Sequence, residues 1–306
     1  MSNIAITGGT GFLGRAILRR LAKAGNHLRC WYRAGSDRTG LEPLAGAIDW
    51  VPGQLGDGTA SRDLVKGCDV LVHAALDYSG GRMQSPEFDS QFSVRNIAGT
   101  LELFEAARAG GVQRVIYISS CAVYGEILSD RPLDETHPMW PTSEYGAHKA
   151  AVEAFVSSFG RGEKYPICAL RPCGIYGIEH PIERSKWFDL VASVVRGETV
   201  TCQRGGKEVH ARDVAQAVEV LLTAEGIAGQ AYNCCDRYIS ELDVATLTQQ
   251  ISLSDAKIIG QPMAPKNQID TQKLRDLGVR FGGEGQLSET IGQLVAAVRA
   301  GHMQKR

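Results

Sequence analysis

Apolar residues gather in short runs at 4–7, 28–32, 48–51, 70–73, 115–119 and 167–170 of this chain. Each run is apolar on both faces, the pattern of a strand covered on both sides. Between the runs, at 13–24, 92–109 and 145–159, apolar positions recur three and four apart, which is helical spacing. Strands alternating with helices predict βαβ units with right-handed crossovers, hence an α/β fold with a doubly wound parallel sheet. After 172 the rhythm changes, with shorter segments and irregular Gly and Pro through 174–181 and 204–207. A helix is expected at 213–223, a strand at 231–234, and helices at 241–251 and 287–299. The pattern divides the chain into a core of 1–172, rejoined by about 208–235, and a small discontinuous C-terminal lobe of 173–207 plus 236–306.

Composition narrows the function. The 306 residues are 43% hydrophobic and 22% charged, with 33 Lys and Arg against 34 Asp and Glu. A net charge of −1 gives no basic surplus for a nucleic acid. No apolar run approaches the roughly 18–20 residues that span a bilayer. The N-terminus lacks a charged segment followed by an apolar one, so no secretory signal is read and a cytoplasmic location is expected. None of the eight cysteines forms a CxxC pair, so buried reduced thiols are expected and no metal site.

The first strand runs into Gly8-Gly9-Thr10-Gly11-Phe12-Leu13-Gly14, and a helix follows. Glycine is needed where a turn requires positive φ and where backbone approaches a pyrophosphate closely. The helix start then offers free N–H groups and a positive dipole end. Gly8, Thr10, Gly11, Phe12, Leu13 and Gly14 are therefore expected to hold a dinucleotide. An NAD-selective site places an acid near the end of the second strand. The segment from Arg29 to Ser36 has none. Arg33 could pair with a ribose 2′-phosphate and Ser36 donate to it, which favours NADP(H), with NAD(H) the alternative.

Tyr145 and Lys149 stand four apart at the start of a helix, on one face. An ammonium near a phenol lowers its pKa, which would make Tyr145 a general acid or base. The strand before it ends in Ser119-Ser120, putting hydroxyls at the carboxyl edge of a parallel sheet, where ligands bind.

With TGGTGFLG at 7–14, HAA at 73–75, NIAGT at 96–100, SSCAVYG at 119–125, YGAHK at 145–149, LRPCGIYG at 170–177 and VHARDVAQAV at 209–218, the chain resembles the extended short-chain dehydrogenase/reductases of the NAD(P)-dependent epimerase/dehydratase type. The resemblance implies a Rossmann core and a second lobe, with substrate bound between them. It implies Tyr145 as acid/base and Lys149 as the group that tunes it and holds the nicotinamide ribose. Ser120 would orient the substrate oxygen, and Asn96 would support the proton relay. Asp57 would lie beside the adenine, with His73, Ala74, Ala75, Ser119 and Pro172 along the cofactor. Tyr78, Arg82, Cys121, Gly174 and His210 are candidates for the substrate pocket. By the same resemblance, helices 92–109 and 145–159 would form a homodimer.

Two positions depart from the family's sugar-nucleotide members. Those often carry Asn where this chain has Gly174, and Arg where it has Gly206, each for the diphosphate. Arg204 or Lys207, or else Arg184, Lys186 or Arg196, would have to compensate. The favoured reading is an NADP(H)-dependent oxidoreductase reducing a ketone or aldehyde, or oxidising the alcohol. A nucleotide-sugar epimerase or dehydratase holding NAD is the alternative, and a non-catalytic NADP(H) sensor a second.

Overall fold

The computed structural model describes residues 1–77, 90–263 and 265–303. In chain order its elements are β1 (Asn3–Thr7), α1 (Phe12–Lys23), β2 (His27–Tyr32), β3 (Ile48–Pro52), α2 (Gly58–Val65), β4 (Val70–His73), α3 (Ser90–Ser93), α4 (Gly99–Ala109), β5 (Arg114–Ile118), α5 (Glu144–Gly162) and β6 (Ile167–Pro172). There follow β7 (Gly174–Tyr176), α6 (Phe188–Val195), β8 (Val200–Cys202), β9 (Gly205–His210), α7 (Ala211–Leu221), β10 (Gln230–Cys234), β11 (Arg237–Ser240), α8 (Glu241–Ser252), β12 (Ile258–Gly260), α9 (Gln272–Asp276) and α10 (Gly283–Met303).

Seven strands form one parallel sheet in the order β10-β6-β5-β4-β1-β2-β3. The order reverses between β1 and β4, which makes their carboxyl ends a switch point, the place where open α/β sheets bind ligands. The apolar character of the strands has the expected cause. Leu71, Val115, Ile167 and Ala169 are wholly buried, and Leu103, Phe104 and Val152 of the flanking helices pack into the same core.

The chain separates into two compact units. The first comprises 1–172, 214–234 and 269–279; the second comprises 173–213, 235–268 and 280–306. Thus 208–213 groups with the second unit rather than the core, and 269–279 returns to the first, where Ile269 bridges to Leu133. Within the second unit, β11-β9-β7 form one small sheet and β12-β8 another. Its apolar core joins Tyr176, Val191, Ile239, Ile291 and Leu294.

Local chemistry sets the element ends near the site. Ser143 caps α5 by accepting the Gly146 N–H at 3.1 Å. Asp57 caps α2, accepting from Thr59 and Ala60 at 3.0 and 2.9 Å. The periodic stretch at 92–109 is helical throughout, and a π-helical turn at Val94–Ala98, with buried Asn96 inside it, joins α3 to α4. Among the described residues, no helix is long and apolar enough to cross a membrane.

Candidate active site

β1 delivers the chain into the glycine loop. Gly8 has φ +75°, a left-handed backbone, and a Cβ there would come within 2.7 Å of the Ala74 backbone. At Gly14 a Cβ would lie 2.0 Å from the Gly8 carbonyl oxygen, so the α1 start folds directly onto the loop. Gly11 is the N-cap of α1, no side chain among the described residues caps that helix, and its first turn holds no acid. This fits a dinucleotide pyrophosphate: the loop gives close backbone approach, and the helix start has its N–H groups and dipole free of a competing anion.

The His73 side chain turns into the core. Its ring lies in the core, stacked on Tyr117, with Nδ1 2.6 Å from the Thr7 hydroxyl and Nε2 2.9 Å from that of Thr100. The imidazole is therefore spent tying β4 to β1 and α4. Ala74 and Ala75, which follow it, pack their backbone on Gly8, and the Ala75 N–H donates to Thr7.

Beyond β2, Arg33 and Ser36 close a turn. The Ser36 hydroxyl accepts the Arg33 N–H at 2.9 Å, and the Ser36 N–H donates to the Arg33 carbonyl at 2.9 Å. With Ala34, Gly35 and Gln54 they line a hollow of about 320 Å³. The Arg33 guanidinium is 59% exposed and lies 3.6 Å from Asp77, which also pairs with Arg95 at 2.7 Å. Asn96 latches the same Asp77 backbone: its Oδ1 accepts the Asp77 N–H at 2.8 Å, and its Nδ2 donates to the Asp77 and Phe92 carbonyls. Tyr78 and Arg82 lie outside the described residues.

At the carboxyl end of β5, Ser120 caps the short turn Cys121–Val123, accepting the Ala122 N–H at 3.1 Å, and its hydroxyl lowers the Tyr145 phenol's pKa. Lys149 is buried, donates to the Ile118 carbonyl at 2.8 Å, and lies 5.8 Å from the Tyr145 ring centre. Burial pushes Lys149 down to about 7, with Glu153 opposing. The Tyr145 phenol moves opposite to the expectation. Burial raises it, and the Ser120 hydrogen bond offsets only part of the rise.

Behind this triad stands a charged network that sequence reasoning missed. The Ser119 hydroxyl donates to Glu153. Glu153 accepts from Arg171 Nε at 2.9 Å and from Nη2 at 2.5 Å, and both side chains are 4% exposed. Arg171 also donates to the Tyr124 hydroxyl, which reaches Asn233 Oδ1 at 2.9 Å. The one available signal was Glu153's spacing, a further turn along α5 from Tyr145 and Lys149. The Cys121 thiol donates to the Arg171 carbonyl at 3.0 Å, and Pro172 pairs with Cys234 at the end of β6.

In the second unit, Gly174 begins β7 in register with Glu208 of β9, and His210 stands opposite Tyr176, the two rings edge to face at 4.9 Å. Of the cations considered for a diphosphate, Lys186 is 2.5 Å from Glu208, Arg196 is 2.5 Å from Glu198, and Arg184 is 3.7 Å from Glu179.

Three buried histidines carry a stability consequence. Burial is the leading cause that pushes His73 and His148 down to about 3 and His210 to about 4, from 6.5. Between those values and 6.5, the unfolded chain binds more protons than the folded one, so stability falls as pH drops through that window. The urea midpoint at pH 4.5 is expected well below that at pH 7; equal midpoints would contradict the assignment.

The family model for the NAD dependent epimerase/dehydratase family matches residues 4–235. The low-salt glycan biosynthesis protein Agl12 of Haloferax volcanii is 30% identical over 241 residues, 76% of each chain. The 4-hydroxy-2-methyl-3-oxo-4-farnesyl-3,4-dihydroquinoline-1-oxide ketoreductase of Stigmatella aurantiaca is 29% identical, over 74% of this chain and 75% of its own. In fold, the chain resembles the UDP-glucose 4-epimerase of Thermotoga maritima, with a TM-score of 0.78 and 22% identity, over 97% of this chain and 99% of that one. Solved neighbours of the same fold hold NAD in three cases and NADPH in a fourth.

Proposed function

We propose that this chain, which belongs to the NAD dependent epimerase/dehydratase family, is an NADP(H)-dependent oxidoreductase that reduces a ketone or aldehyde carbon. The observation that carries this reading is the Ser120–Tyr145–Lys149 set at the carboxyl edge of β5. A phenol held above its ordinary value stays protonated at neutral pH, which suits a proton donor to a forming alkoxide. Ser120, beside Tyr145 in the set, orients the substrate oxygen. Lys149, poised near neutrality, holds the proton that restores the phenol.

The glycine loop and the α1 start would hold the pyrophosphate, with Arg33 and Ser36 on the 2′-phosphate. The bound dinucleotide supplies the hydride. Arg33 is exposed and its partner Asp77 lies at 3.6 Å, so the guanidinium is available to a stronger anion. Asp57 is accounted for as the cap of α2, and a role beside adenine would be additional.

The second reading, a nucleotide-sugar epimerase or dehydratase with retained NAD, is favoured by the named activity of the Thermotoga structural neighbour. It would use the same Tyr145 and Lys149. Fluorescence titration with NADPH and NADH separates the two. NADPH is expected to bind at least about tenfold tighter, or 1.4 kcal/mol, and Arg33→Ala is expected to bring the two close to parity. NAD retained through purification, or tighter NADH binding, transfers the argument to the second reading. Tight NADPH binding with no carbonyl reduced would leave a sensor.

A further inference from the structure

Arg15 stands where a helix gains little from a cation. It lies one turn into α1, close to the helix start, where a positive charge opposes the macrodipole. It is also 5% exposed, and arginine is rarely buried unless its donors are engaged. Here all three nitrogens reach backbone. Nε donates to the Thr10 carbonyl at 3.0 Å, Nη1 to that of Thr39 at 2.6 Å, and Nη2 to that of Asp37 at 2.6 Å. The Asp37 carboxylate lies 3.5 Å from the same Nη2.

The three carbonyls belong to two different loops. Thr10 is part of the glycine loop. Asp37 and Thr39 come directly after the Arg33–Ser36 turn, in a segment that belongs to no helix or strand. Arg19, one turn further along the same face of α1, donates to the Gly40 carbonyl at 3.3 Å. The segment 37–40 is therefore anchored on α1 by guanidinium groups rather than by a sheet ladder. A guanidinium holds its donors in a rigid planar fork, so one side chain sets the spacing of both loops. An ammonium carries the same charge without the fork.

We propose that Arg15 is a positioning residue for cofactor selection: its fork fixes the Arg33–Ser36 turn at a set distance from the glycine loop, so that a pyrophosphate on the loop brings a ribose 2′-phosphate to Arg33 and Ser36. The proposal rests on the NADP(H) reading for its ligand. Arg15 acts through the turn rather than on a phosphate, each of its nitrogens being engaged on a carbonyl. NADH has no 2′-phosphate and draws on the glycine loop, which Gly8 and Gly14 hold by close packing that Arg15 does not supply. Without Arg15 the turn must be ordered by the ligand, and that cost weakens NADPH more than NADH.

The test needs no turnover. Fluorescence titrations with NADPH and with NADH are run on wild type, Arg15→Met and Arg15→Lys, with melting curves as fold controls. Methionine removes charge and fork; lysine keeps the charge and loses the fork. In both variants NADPH binding is expected to weaken at least about tenfold, with NADH held within about threefold. Amide hydrogen exchange without cofactor is expected to quicken at 33–40 in both variants and to stay unchanged in β1. An equal loss of both cofactors overturns the proposal and makes Arg15 a general support of the fold. Wild-type selectivity in Arg15→Lys overturns it too, because the charge and not the fork would then be the agent. Unchanged exchange at 33–40 likewise overturns it. A wild type that does not prefer NADPH, with exchange still quickened in the variants, overturns the NADP(H) reading and the selecting role with it, while the anchoring of the turn stands.

Discussion

Tyr145→Phe is expected to cut carbonyl reduction by about 10²–10⁴-fold while NADPH affinity stays within about twofold. The substitution removes one oxygen and keeps the ring, which packs near His148 at 6.4 Å and Lys149 at 5.8 Å. Ser120 loses a partner but keeps the Ala122 N–H it accepts at 3.1 Å. Fold and loop geometry should therefore survive, leaving the proton path as the one thing changed. Single-turnover rates with NADPH, beside a fluorescence titration of the same variant, read both quantities. A rate near wild type would remove Tyr145 from the chemistry. A parallel loss of NADPH affinity would mean that the phenol serves the cofactor and not the substrate oxygen.

What the sequence makes legible here is what is local. The glycine loop reads correctly because one turn holds its whole logic: strand, positive φ at Gly8, close approach at Gly14, helix start. The parallel sheet reads correctly because strands buried on both faces leave uninterrupted apolar runs. The helix at 92–109 is legible, but the π-helical turn inside it is not, because periodicity cannot show that Asn96 is buried and turned inward to hold Asp77. The core position of the His73 ring is not legible because its two threonine partners, Thr7 and Thr100, come from distant parts of the chain. The strands β7, β8 and β12 have three residues each, too few to show a period. Lys186 and Glu208 each look like a solvated charge until β9 is laid beside β7.

The same blindness hides the residue with the largest expected effect on stability. Glu153→Leu leaves Arg171 charged, 4% exposed and without its carboxylate partner. Removing one member of such a pair costs about 3–5 kcal/mol, which a urea titration reads directly. The loss is not only electrostatic. Ser119, next to Ser120, loses the acceptor for its hydroxyl, and Lys149 loses the one carboxylate that opposes its downward shift. Lys149 should then titrate below about 7 and be less protonated at neutral pH. The rate of reduction should fall more steeply above neutrality than it does in the wild type. The double variant Glu153→Leu with Arg171→Met separates the two effects. With both charges gone, no guanidinium is left buried without its carboxylate, and most of the lost stability should return. The steeper pH dependence should remain, because Lys149 still lacks its counter-charge. If the double variant restores the wild-type pH profile together with stability, the network only holds the fold, and Glu153 has no part in setting the charge on Lys149.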